Sequence, residues 1–228
     1  MLSGPRWLAL EVKYLDRARS FYESFLDLPV RAESGTAVRL AAGGTDLVLR
    51  TPGDVPRGGL HTHYALATPP TEYGGWFDRL SERFDLVEHQ FGDARSLYFY
   101  DTEGNCVEIG ERGRDGTGIT GLFEVVLEVE SLEQAHEFYR DFGFETVDVG
   151  EKRQRVRLSA GEFDVELWEP HLGLADARGG VHVDMGIGAT DPAAVAGAVE
   201  SRARSVARVD GGVRVRDPDG HYLTFVSR

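Results

Sequence analysis

Apolar and polar positions alternate in short runs, and helical stretches separate those runs. In WLALEV (7–12), Leu8, Leu10 and Val12 share one face, while Trp7, Ala9 and Glu11 share the other, the period-two signature of a strand. In HTHYALA (61–67), Tyr64 and Leu66 are expected to face a helix, and His61, His63, Ala65 and Ala67 the opposite side. Apolar spacing predicts helices over 16–27, about 72–85, 132–142 and 191–204. Ser131 with Gln134 reads as a capping box, and Asp191 before Pro192 as an N-cap with proline at the first helical position. Each helix is followed by short alternating runs with Gly- and Asp-rich breaks, which read as hairpins. The unit is βαβββ, and it occurs four times, beginning near Trp7, His63, Glu124 and Asp184.

The units are also related in pairs. LDRARSFYESFLDL (15–28) resembles LEQAHEFYRDFGF (132–144), and YDTEGNCVEI (100–109) resembles RDPDGHYLTF (216–225). The chain is therefore expected to form two similar domains, 1–112 and 122–228, joined by a Gly-rich linker at 113–121. The predicted class is α+β, with curled, mostly antiparallel sheets whose free face lines a concave site.

The 228 residues are ample for a buried core. A net charge of −13, spread along the chain, excludes the basic stripe that nucleic acid requires. No apolar run is long enough to span a membrane, and the N-terminal stretch has no apolar leader, so a cytoplasmic location is expected. Cys106 is the only cysteine, which rules out a disulfide framework or a cysteine-rich zinc site; it has the parity of Glu108.

With these elements in place, the chain resembles the vicinal oxygen chelate superfamily (glyoxalase I, bleomycin-resistance proteins, extradiol ring-cleavage dioxygenases) over nearly its whole length. The resemblance implies that βαβββ units pair into cups, with metal ligands on the first and last strands of the units. A more local resemblance is to catechol 2,3-dioxygenase-like enzymes. GGLHTHYAL (58–66) looks like the strand carrying a metal histidine, which implies His63 as a ligand. HQFGDARSLYFYDTEGNCVEI (89–109) looks like their last hairpin, which implies Glu108 as the carboxylate ligand, Tyr98 as the substrate-binding tyrosine and His89 as the acid–base histidine. The D-x-x-G-N-x-x-E turn from Asp101 to Glu108 is common across the superfamily.

The implied cofactor is Fe(II), with Mn(II) or no metal as alternatives. Two histidines and one carboxylate leave positions on iron for a catecholate and O₂. The chain departs from that pattern at Trp7, which stands where the first metal histidine is expected. His61, two residues before His63 on the same strand face, is then the candidate for a third ligand, and Trp7 an aromatic wall for a planar substrate. In the second half the matching positions are Glu124, Glu166, Asp184 and Thr224, with Arg153, Arg155 and Arg157 placed to pair with the acids. That cup is expected to be closed by charge pairs. His136, His171 and His221 read as surface residues. The expected function is that of an extradiol dioxygenase-like protein acting on a small aromatic diol in the N-terminal half; a homo-oligomer is compatible with this. The alternatives are a metal-free small-molecule binder and a glyoxalase-like metal enzyme.

Overall fold

The computed structural model describes residues 1–53, 61–113, 115–150, 154–170 and 182–227, with the backbone alone described at 61, 62, 182 and 183. The first unit comprises β1 (Leu2–Glu11), α1 (Leu15–Phe25), β2 (Val30–Glu33), β3 (Ala37–Ala42) and β4 (Thr45–Arg50). The second comprises β5 (His61–Thr68), α2 (Pro70–Ser81), β6 (Val87–Phe91), β7 (Ala94–Tyr100) and β8 (Cys106–Glu111). The third comprises β9 (Gly121–Glu128), α3 (Leu132–Phe142), β10 (Glu145–Val149), β11 (Arg155–Ser159) and β12 (Asp164–Trp168). The fourth comprises β13 (His182–Ala189), α4 (Pro192–Val199), β14 (Ser205–Val209), β15 (Gly212–Arg216) and β16 (Tyr222–Ser227). The fold is α+β, built from four βαβββ units, as the patterning predicts. Ser131 Oγ accepts from the Gln134 amide, and Asp191 Oδ1 from the Ala194 amide, as the caps require.

Strand parity is also as predicted. Leu8, Leu10, Val12, Tyr64 and Leu66 lie in the main core, whereas Ala65 and Ala67 pack with Phe123 on the opposite face. The paired sequence motifs meet one another in space. Tyr22 of α1 donates to Asp101 in the β7–β8 turn at 2.6 Å, and Tyr139 of α3 donates to Asp217 in the β15–β16 turn at 3.0 Å. Each repeat thus contributes a helix from one unit and a turn from the next, locked by a buried hydroxyl–carboxylate bond.

The pairing of units differs from the expectation of one cup per sequence half. One eight-stranded sheet has the order β14-β15-β16-β13-β1-β4-β3-β2, and the other β10-β11-β12-β9-β5-β8-β7-β6. Unit 1 therefore shares a sheet with unit 4, and unit 2 with unit 3. The halves 1–112 and 122–228 are stitched together twice, by antiparallel seams β1–β13 and β5–β9. Local periodicity cannot choose between the two pairings, because each buries the same strand faces. The segment at 113–121 does more than connect: the Thr120 amide donates to the Ala67 carbonyl at 2.8 Å, while Thr120 also covers Gly43 in the β3–β4 turn.

Gly43 has φ +57°, and an added Cβ there would collide with the Thr120 backbone. Gly43→Ala is expected to cost at least about 2 kcal/mol and to lower the melting temperature by roughly 4–8 °C. Gly44→Ala, whose Cβ would meet nothing within 4 Å, should leave it unchanged. Thermal unfolding of the two variants checks this, and equal effects would show that the Thr120 contact is not what constrains the turn.

Candidate metal centre

The β5–β9 seam puts side chains from both halves of the chain on one floor. Ala65 of β5 is paired with Glu108 of β8 on one side and Glu124 of β9 on the other, while His63 is paired with Val126. The methyl group of Ala65 leaves the space above it to its neighbours, so the two carboxylates and the His63 ring converge there. His63 Nε2 lies 3.1 Å from Glu108 Oε2 and 3.6 Å from Glu124 Oε1. One potential ligand atom from each of the three residues lies within 4.8 Å of the other two, and all three side chains are buried. Glu166 of β12 completes the floor, accepting from the Trp168 indole at 2.6 Å.

Cations from β11 face these acids. Arg157 Nη2 contacts Glu124 at 2.9 Å and Glu166 at 3.0 Å, and Arg155 Nη1 contacts Glu166 at 2.8 Å. The expected pairing of these arginines with acids is thus present, but in the same cup as His63; Arg153 lies outside the described residues. Burial alone would push the His63 imidazole down. Glu108 and Glu124 outweigh that and hold it at about 9, against an ordinary 6.5. Burial alone would raise Glu108; contact with His63, Ser96 and Tyr98 holds it below the usual range instead. Burial and the neighbouring Glu124 raise Glu166.

Aromatic groups line the adjoining rim. The Tyr98 ring stands 5.4 Å from the His63 ring and 5.6 Å from the His89 ring, and Trp168 lies 6.1 Å from His63. His63, His89, Tyr98 and Cys106 line a cavity of about 80 Å³. His89 is exposed on the edge strand β6, and Tyr98 is half-buried. Burial, then the charge of Glu108, raises the Tyr98 phenol far above its usual range, so it remains a proton donor. Burial pushes the Cys106 thiol up to about 12, which makes it a poor nucleophile.

Of the residues singled out in the sequence, His63, His89, Tyr98 and Glu108 come together. The His61 side chain lies outside the described residues; its backbone pairs with Leu127. Trp7 does not join them. It stands on the other sheet, where its indole donates to Asp184 Oδ2 at 3.0 Å, and Thr224 Oγ1 donates to Asp184 Oδ1 at 2.7 Å. The first- and last-strand positions regroup as His63, Glu108, Glu124 and Glu166 in one cup and Trp7, Val48, Asp184 and Thr224 in the other. The third potential ligand, Glu124, was visible as a cup position but was assigned to the wrong cup. His221, expected at the surface, is fully buried; its amide donates to Asp217 at 2.7 Å, and its Nε2 contacts the Glu128 carbonyl at 2.7 Å. His136 is exposed, as expected, and His171 lies outside the described residues.

No protein-family profile matches the chain, and no curated protein matches it in sequence. Solved structures do match. A "putative dioxygenase" from Bacillus subtilis subsp. subtilis str. 168 is 18% identical, with 99% of this chain and 85% of that chain covered and a TM-score of 0.78. Glyoxalase I from Zea mays is 18% identical, with 98% of this chain and 92% of that chain covered and a TM-score of 0.71. The chain shares the fold of these structures. At such identities the likeness establishes the fold and leaves the chemistry to the residues. Among the described residues, no helix is long and apolar enough to cross a membrane.

The His63 contacts predict a pH signature. Its folded pKa is about 9, above the unfolded 6.5, so the stabilisation is fully present below pH 6.5 and is lost as pH rises through 9. The full shift corresponds to about 3 kcal/mol. Urea midpoints of chelator-treated protein should fall across this window, and His63→Gln should flatten that arm. An equal alkaline fall in His63→Gln would remove His63 as the cause.

Proposed function

We propose that His63, Glu108 and Glu124 hold a divalent metal ion and that the protein is a metal-dependent enzyme for a small substrate with two adjacent oxygens. The observation that carries this is the convergence of three buried ligand atoms from three strands within 4.8 Å of one another. The donors fit such an ion: one imidazole and two carboxylates form an oxygen-rich set suited to Fe(II), Mn(II) or a similar cation. When bound, the ion would polarise the substrate oxygens. Arg157 already bridges Glu124 and Glu166, and its side chain, about 31% exposed, has room to withdraw toward solvent.

The chain's own groups then divide the remaining work. Tyr98, protonated and lying against Glu108, would donate to a substrate oxygen at the rim. His89, on the exposed edge, would carry protons between the site and water. Glu166, raised by burial and by its acidic neighbour Glu124, would take a proton from a substrate carbon. This favours a proton-transfer reaction of the glyoxalase kind, because the described ligand set has one histidine and two carboxylates rather than the reverse. Ring cleavage of a small aromatic diol is the second reading; the contact of His89 with Tyr98, and of Tyr98 with Glu108, supports it.

Purified protein equilibrated anaerobically with Fe(II) or Mn(II) should bind about one ion per chain. His63→Ala, Glu108→Ala and Glu124→Ala should each weaken binding by at least about 100-fold, and Trp7→His should not change it, since Trp7 lines the other cup. Apparent affinity should rise about tenfold per pH unit up to about pH 9, because the ion displaces the His63 proton. Absence of metal uptake, by calorimetry and elemental analysis, would leave a metal-free binding protein. Catechol-dependent O₂ uptake, set against solvent-proton exchange into a 2-oxoaldehyde thiol adduct, then separates ring cleavage from proton transfer.

A further inference from the structure

The second cup carries the opposite charge. Strand register places Arg50 of β4, Arg39 of β3, and Arg214 and Arg216 of β15 on the concave face of the sheet. Arg31 reaches in from the β2 edge to Asp46 at 2.7 Å. Against these five guanidiniums the described residues set three carboxylates, Glu11, Asp46 and Asp184. Asp46 is occupied by Arg31 and Arg39, each at 2.7 Å. Asp184 accepts from Trp7 and Thr224, and Arg214 approaches it only to 3.7 Å. The cup has an excess of positive charge in a chain whose net charge is −13.

Two of the guanidiniums have buried nitrogens without hydrogen-bond partners, Arg50 Nη2 and Arg216 Nε. Arg50 lies within electrostatic reach of Arg214 as well as Asp184, and burial lowers its pKa from the ordinary value. A buried N–H left unsatisfied is costly, and evolution seldom retains it without a partner. The floor keeps some contact with solvent: Trp7, Val48, Arg50, Arg214 and Arg216 are all half-buried. The Trp7 ring lies against Gly186, where a Cβ would collide with it, and Arg39 Cζ stands 5.9 Å from the ring centroid.

We propose that this cup is a binding site for a small molecule bearing a carboxylate or phosphate group, with the anion held by Arg50 and Arg214 and the body of the molecule against Trp7. Guanidinium forks match both anions, and a charge-assisted bond to Arg50 Nη2 satisfies a donor that the protein leaves open. The site is separate from the His63 cup and does not depend on its having a metal.

Calorimetric titration of the full chain with inorganic phosphate, and separately with succinate, tests this. At low ionic strength at least one should bind saturably, with affinity falling as salt rises. Phosphate alone would assign a phosphoryl ligand, and succinate alone a carboxylate. Arg50→Gln and Arg214→Gln should each weaken binding at least about tenfold, while Glu108→Gln, in the other cup, should leave it intact. Should Arg50→Gln fold poorly, Arg50→Met keeps the buried volume. Its melting temperature without ligand should equal or exceed that of wild type, and the anion should no longer raise it. No saturable binding of either anion, or binding indifferent to both arginine substitutions, overturns the proposal.

Discussion

The antiparallel seam between β5 and β9 is the pairing on which the candidate site depends. It sets Ala65 between Glu108 and Glu124 and leaves His63 one step along the strand. Neither half of the chain holds the three potential ligands by itself. A one-residue slip of the seam would turn Glu124 into the helix-side core, where an unpaired carboxylate costs several kcal/mol. Leu122, Val125 and Leu127, anchored in the core, with Phe123 packed on the cup face, resist that slip. The seam β1–β13 does the same for Trp7 and Asp184 in the other sheet.

Buried charge sets the second constraint. Three carboxylates on one floor need compensation, and His63, Arg155 and Arg157 provide it with matching formal charge. The compensating groups are also the ones a metal ion would displace: the proton on His63 and the Arg157 bridge. The same ion pairs therefore keep the metal-free protein folded and set the threshold an ion must exceed. Such a site would bind an ion weakly at acid pH and more tightly as the imidazole is released. In the other cup the balance is reversed. There Asp46 is satisfied by arginines and Asp184 by Trp7 and Thr224, and among the described residues guanidiniums outnumber carboxylates.

Much of the fold was legible in the sequence because it is written in local terms. Period-two runs fixed which face of WLALEV and HTHYALA is buried, and Ser131 and Asp191 marked helix starts. The matched FY and D-x-x-G motifs proved to be two ends of the same bond, Tyr22 to Asp101 and Tyr139 to Asp217. The partnering of units was not legible. Sheet edges that join across a hundred residues leave no local periodicity, and a strand such as β9 presents the same faces whichever neighbour it takes. That single unknown misplaced Trp7, Glu124 and Glu166 together, and it turned a site shared between the halves into one expected in the first half alone. His221 was misread for a different reason. A histidine in a polar hairpin turn looks solvated until the carbonyl of Glu128, nearly a hundred residues away, arrives to accept from it.

The two cups can be compared position by position, because each is floored by the first and last strands of two units. Where one has His63, Glu108, Glu124 and Glu166, the other has Trp7, Val48, Asp184 and Thr224. The backbone frame repeats; the donors do not. Metal chemistry needs several lone pairs converging on one point, and of these four residues in the second cup only Asp184 is a strong donor, already bound by an indole and a hydroxyl. Trp7, whose ring lies on Gly186 across the strand, offers an ion no lone pair there. In this fold the βαβββ units determine where side chains converge, and four residue choices per cup determine the chemistry of the groups that meet there.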